Sequence, residues 1–162
     1  LFIVLLLLFF SACDHDDPQY SVPDFTLPDV YGNEVNLYGY LSQSPVVIIP
    51  WAMWCKMSIE ELDALLLYGD TLHSIRVTVF AISQDGSQYA SQVTDTAFEH
   101  DWVYEYEILL DTANIIRDLY DIQAMPSTIA IDMSGDIVYR HEGYKTGDEI
   151  IIVDTLKAIF GD

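Results

Sequence analysis

Of the two cysteines in the chain, Cys55 stands where an apolar run, Pro45–Pro50, gives way to a segment of helical periodicity. A thiol at the start of a helix meets unpaired main-chain N–H groups and the positive end of the helix dipole, and both favour the thiolate. Lys56 adds a neighbouring cation, and Trp51 and Trp54 offer an apolar rim. Such a thiolate is a nucleophile for a disulfide or a peroxide. A lone cysteine is as readily a small buried core residue, so position alone leaves both readings open. The other chemistry-bearing residues form no site. His15, His73, His100 and His141 are widely spaced and show no metal-ligand pattern, so no metal and no cofactor is expected. There is no glycine-rich phosphate loop. The 11 tyrosines are scattered, as packing residues are.

The elements around Cys55 follow from periodicity. Val22–Leu27 and Glu34–Leu37 read as short strands about the turn Tyr31-Gly32-Asn33. Pro45–Pro50 is wholly apolar, as a buried central strand would be. From Ser58 onward Ile59, Leu62, Leu65 and Leu66 share one helical face, with Glu60, Glu61 and Asp63 near its start. Ile75–Ile82 reads as a second buried strand and Gly86–His100 as a helix. A short strand at Ile108–Leu110 precedes a short helix at Ala113–Tyr120. Thr128–Asp132 and Ile137–Arg140 read as a hairpin around Ser134-Gly135, and residues 147–160 as a closing helix. Alternating strands and helices imply an α/β fold: a central mixed sheet flanked by helices, preceded by an N-terminal β-hairpin. Strand-to-helix turns are where such sheets place ligands.

A chain of 162 residues suits one domain. Six basic against 26 acidic residues give a formal charge of -20, which argues against nucleic acid or anionic lipid surfaces as partners. A hydrophobic content of 51% excludes wholesale disorder. The mean hydropathy of +0.22 arises almost entirely from residues 1–12, LFIVLLLLFFSA. That run is short for a membrane span and reads as a secretory signal. Phe10-Ser11-Ala12-Cys13 resembles a bacterial lipobox, although Phe10 departs from the usual aliphatic residue. The resemblance implies lipidation of Cys13, a membrane anchor, a polar tether over residues 13–21 and a location at the cell envelope. The folded domain is then expected over residues 22–162.

Trp51-Ala52-Met53-Trp54-Cys55 after Val46–Ile49 resembles the thioredoxin superfamily, and within it the TlpA-type and redoxin (AhpC/TSA-like) envelope proteins. Val22–Leu27 is similar to the entry strand of that group. Met125-Pro126-Ser127-Thr128 is similar to its cis-proline loop, and Ile131–Ile137 to the hairpin that follows. The resemblance implies a thioredoxin-like fold with a cis bond before Pro126. It places Trp54, Met125, Pro126 and Ser127 beside Cys55 as substrate contacts. It also implies a proton-handling role for Glu61, six residues after the cysteine, where the alternative is an exposed helix acid. The strand position that carries a buried acid in thioredoxins is Ile49 here.

The departure from the pattern is Ser58, which stands where the family's second cysteine belongs. A hydroxyl cannot form a disulfide; it is left to hydrogen-bond the thiolate or to cap the helix. Three functions remain. The first is a thiol-disulfide oxidoreductase using Cys55 alone, with protein or small-molecule thiols and disulfides as partners and an external thiol to resolve the intermediate. The second is a thioredoxin-fold binding module without turnover. The third is a one-cysteine peroxidase, which lacks the hydroxyl expected just before its cysteine.

Overall fold

The computed structural model describes residues 20–161. The readings for the signal run, Cys13 and the tether up to residue 19 lie outside the described residues. Among the described residues no helix is long and apolar enough to cross a membrane.

The central strand is β3 (Val46–Trp51), buried along its whole length. Its Val, Ile and Trp side chains suit a position covered on both faces. It pairs in parallel with β4 (Thr78–Ser83), which pairs in parallel with β5 (Glu107–Leu110). On its other side β3 runs antiparallel to β6 (Ser127–Ile131), and β6 antiparallel to β7 (Ile137–Glu142). The sheet order is β5-β4-β3-β6-β7. A separate antiparallel pair, β1 (Thr26–Pro28) and β2 (Glu34–Asn36), forms the expected N-terminal hairpin. The fold is thioredoxin-like.

Two hydrophobic layers sandwich the sheet. Val47, Ile49, Trp51, Val79 and Ala81 pack on one face with Leu62 and Leu65 of α2 (Lys56–Leu66), Leu72 of α3 (Gly69–Ser74), Val93 of α4 (Ala90–Glu99) and Ile152 of α6 (Asp148–Phe160). Val46, Ile48, Phe80 and Ile82 face the other way. They meet Phe25, Leu27 and Val35, Leu37 and Leu41 of α1 (Leu37–Leu41), and Ile116 of α5 (Ile115–Leu119).

Several boundaries differ from expectation. The second strand stops at Asn36, whose side chain accepts the Gly39 N–H at 2.9 Å and starts α1, an unforeseen helix. The strand expected over Ile75–Ile82 begins at Thr78, because α3 and its turn occupy the preceding residues. The expected entry strand shortens to Thr26–Pro28. Tyr20 and Ser21, at the end of the expected tether, pack on the turn between β6 and β7. The Ser21 hydroxyl donates to the Gly135 carbonyl at 2.6 Å. Gly135 sits at φ +80, and a Cβ there would come within 2.6 Å of Tyr20, so the turn requires glycine.

Candidate functional site

The sheet register decides where the chemistry meets. Trp51 ends β3 beside Ser83 at the end of β4, and antiparallel β6 begins at that same edge with Ser127. Cys55, at the start of α2, therefore approaches the loop that leads into β6. Its Sγ lies 3.7 Å from the Met125 carbonyl oxygen, within reach of an S–H donor. The Met125–Pro126 peptide is cis, as the loop resemblance implies. Cys55 occupies the N-cap position of α2 and is half-buried, so the thiol is carried at the helix N-terminus on a residue that is not sealed in the core.

Residues 55, 58 and 61 follow one another at a spacing of three, so they line one inward face of α2. Ser58 is fully buried. Its hydroxyl donates to the Cys55 carbonyl at 2.8 Å and accepts the Ala52 N–H at 3.4 Å. The hydroxyl thus ties the approach to the helix together and is not aimed at Sγ.

Glu61 lies one further turn inward and is also fully buried. Thr128, two residues after Pro126, donates its hydroxyl to Glu61 Oε1 at 2.5 Å. Glu61 Oε2 is buried without a partner. Burial pushes the carboxyl up to about 7, against the lowering effect of the Thr128 hydrogen bond and with a further push from the Asp148 charge. The acid is therefore no exposed helix residue. It is a buried carboxyl bonded to the strand that carries the cis-proline loop, and it changes charge near neutral pH.

Of the remaining expected residues, Trp54 stands 73% exposed on the rim. Met125 is half-buried and Pro126 buried. Ser127 is fully buried, and its hydroxyl donates to the Ala124 carbonyl at 2.7 Å, which holds the loop closed on itself. Trp51 does not form a rim. It is a core residue packed edge-to-face on Trp102, with ring centroids 4.9 Å apart.

Asp85 was not apparent from sequence. Its Oδ2 accepts the Met53 N–H at 3.1 Å and the Ser83 hydroxyl at 3.0 Å, so a buried carboxylate fixes the turn that presents Trp54 and Cys55. Asp111, also buried, accepts the N–H groups of Ile115 and Ile116 and the Gln84 side-chain amide. It thereby seats α5 against the same edge. Asp111 directly follows β5 and Asp85 comes two residues after β4, and this placement just past an apolar strand is the only sequence signal they give. Among the described residues no group of three or more His, Cys, Asp or Glu is placed to hold a metal ion.

Residues 18–140 match the model of the AhpC/TSA family. The chain belongs to that family. Thioredoxin-like protein YneN of Bacillus subtilis is 27% identical over 134 residues, covering 80% of this chain and 74% of that protein. Thiol-disulfide oxidoreductase ResA of the same organism is 25% identical over 139 residues, covering 86% and 74%. A thioredoxin-like protein of Porphyromonas gingivalis, known from a solution structure, superposes with a TM-score of 0.69 at 28% identity, covering 88% of this chain and 94% of the other.

Proposed function

We propose that the chain is a thiol-disulfide oxidoreductase that works through Cys55 alone. The observation that carries this is the approach of the Cys55 thiol, on a half-buried residue at a helix N-terminus, to the Met125 carbonyl of the cis-proline loop, with the buried carboxyl of Glu61 on the same helix face bonded to Thr128 of the strand that follows that loop. The names of relatives such as ResA support the reaction class. In the first step the Cys55 thiolate attacks one sulfur of a substrate disulfide. A bond forms between Sγ and that sulfur, and the other sulfur leaves as a thiolate that takes up a proton. In the second step an external thiolate attacks the mixed disulfide and expels Cys55. That attack leaves the external thiol bonded to the substrate's second sulfur, and a second external thiolate displaces this sulfur as a thiolate; the substrate disulfide thus gains two electrons while two external thiols become a disulfide. Glu61, half-ionised near neutral pH, exchanges the proton that the thiol loses and regains. Ser58, bonded to the Cys55 carbonyl, positions the thiol. Trp54, Met125, Pro126 and Ser127 shape the surface that receives the substrate.

We further propose that Cys13 is lipidated and holds the domain at the cell envelope, with residues 1–12 as the signal. The support is the apolar run followed by small residues and a cysteine. One observation favours a second reading, a binding module without turnover: with Ser58 at the fourth position of the motif, Cys55 is the one cysteine among the described residues. Intact-mass analysis after oxidised glutathione separates the two. The oxidoreductase acquires one glutathione at Cys55 and loses it to added monothiol. A module whose thiol is inert stays unmodified, and its Cys55→Ser variant still binds its partner.

A further inference from the structure

A cleft of about 330 Å³ opens beside Cys55, between Trp54 and Met125 on one side and Asn114, Arg117 and Gln123 on the other. Cys55 does not itself line the cleft, but Met125 supplies both a wall and the carbonyl that Sγ approaches at 3.7 Å, and Trp54 precedes the thiol in sequence, so the cleft lies next to the thiol. Its volume lies at the lower end of small-molecule sites and fits a compact ligand better than a folded partner. Its lining carries one formal charge, the Arg117 guanidinium, in a protein with 26 acidic and six basic residues. Arg117 makes no ion pair among the described residues, although Asp118 is its neighbour in sequence and Asp121 lies in the following turn. Other basic residues are engaged elsewhere: Lys56 pairs with Glu60, and Arg140 donates to the Tyr120 carbonyl. α5 is itself fixed, because Asp111 holds the N–H groups of Ile115 and Ile116. The cation is therefore an exposed side chain on an anchored element, and it lines a cleft whose Met125 wall adjoins the nucleophile.

We propose that this cleft holds the external thiol of the Cys55 cycle, and that this thiol is a small molecule bearing a carboxylate, paired with Arg117. The inference rests on the one-cysteine reading above, since only a monothiol cycle needs such a co-substrate. In that cycle Cys55 attacks a mixed disulfide between a substrate and the small acidic thiol. Sγ bonds to the small thiol's sulfur, and the substrate leaves as its thiol. The small moiety, now disulfide-linked to Cys55, lies in the cleft with its carboxylate on Arg117. A second molecule of the small thiol attacks, releases the symmetrical small disulfide and restores the Cys55 thiolate. Each turn consumes one mixed disulfide and one free small thiol, and yields the substrate thiol and the symmetrical small disulfide. Arg117 touches the co-substrate and not the reacting sulfurs, so it acts on selectivity.

The test uses the full chain and three disulfides of matched length: dithiodipropionate (anionic), bis(2-hydroxyethyl) disulfide (neutral) and cystamine (cationic). The rate of mixed-disulfide formation at Cys55 is read by peptide mass mapping, which separates Cys55 from Cys13. The wild type is expected to react with the anionic probe at least as fast as with the neutral one despite its formal charge of -20. Arg117 is exposed, so Arg117→Gln should lower the anionic-to-neutral ratio by up to about fivefold, the upper end for a surface ion pair. Arg117→Lys should restore most of it. Arg76→Gln removes the same charge two positions before β4, at the opposite end of that strand from the site, and should leave the ratio unchanged. An unchanged ratio in Arg117→Gln, with the neutral probe still reactive, overturns the inference alone. Failure of every probe to modify Cys55 overturns the oxidoreductase reading and the inference with it.

Discussion

Glu61→Gln should change how stability depends on pH, by an amount the burial of the carboxyl sets. The group titrates near 4.5 when unfolded and at about 7 in the fold, so the native state holds the proton more tightly. A raised carboxyl contributes its stability in full below pH 4.5 and loses it as pH rises toward about 7. Between about pH 5 and pH 8 the wild type should therefore lose about 2–3 kcal/mol relative to a variant with no titrating group there. Gln keeps an oxygen for the Thr128 hydroxyl and replaces the unpartnered Oε2 by an amide, so the packing is nearly conserved. Urea unfolding of both proteins across that range isolates the term, because every other acid is common to the two. The Gln variant is expected to lose ground to the wild type at low pH and to gain on it steadily up to neutrality. Parallel stability curves would refute the assignment of a buried carboxyl with a raised titration point.

Three further perturbations probe the site. Asp85→Ala leaves the Met53 N–H and the Ser83 hydroxyl without their buried acceptor, and should cost about 1–3 kcal/mol in urea unfolding while slowing alkylation of Cys55. Trp54→Ala removes an exposed ring, so stability should change by less than about 0.5 kcal/mol, whereas KM for a disulfide substrate should rise. Ser58→Cys places a second thiol on the inward face of α2 one turn from Cys55. After mild oxidation, thiol titration should then show the loss of two free thiols as an internal disulfide forms.

The architecture was legible because its signals are strong and local. A wholly apolar Val46–Ile49, an amphipathic run from Ile59 to Leu66 and a Ser-Gly turn between two short strands each admit one reading. What escaped was decided by single side chains or by distant contacts. Asn36 turns a strand into a helix with one hydrogen bond to Gly39. Trp51 and Trp54 look alike in sequence, yet only the strand pleat and the position of Trp102 send one inward and leave the other on the rim. Glu61 was open between burial and exposure, because Glu60, Glu61 and Asp63 form one acidic run. The fold separates them: Glu60 reaches Lys56 at the surface, Asp63 takes the Trp102 indole N–H, and Glu61 turns toward Thr128. The Arg117 cleft joins residues around 50, 84, 114–125 and Trp54, a grouping that only the strand order assembles.

If Cys55 works alone, one thiol suffices for turnover. Steady-state reduction of a peptide–glutathione mixed disulfide by the full chain in excess monothiol, with Cys13→Ser and Cys55→Ser compared, tests this. Turnover is expected to be unchanged in Cys13→Ser and absent in Cys55→Ser. Loss of turnover in Cys13→Ser, or its survival in Cys55→Ser, would contradict the account.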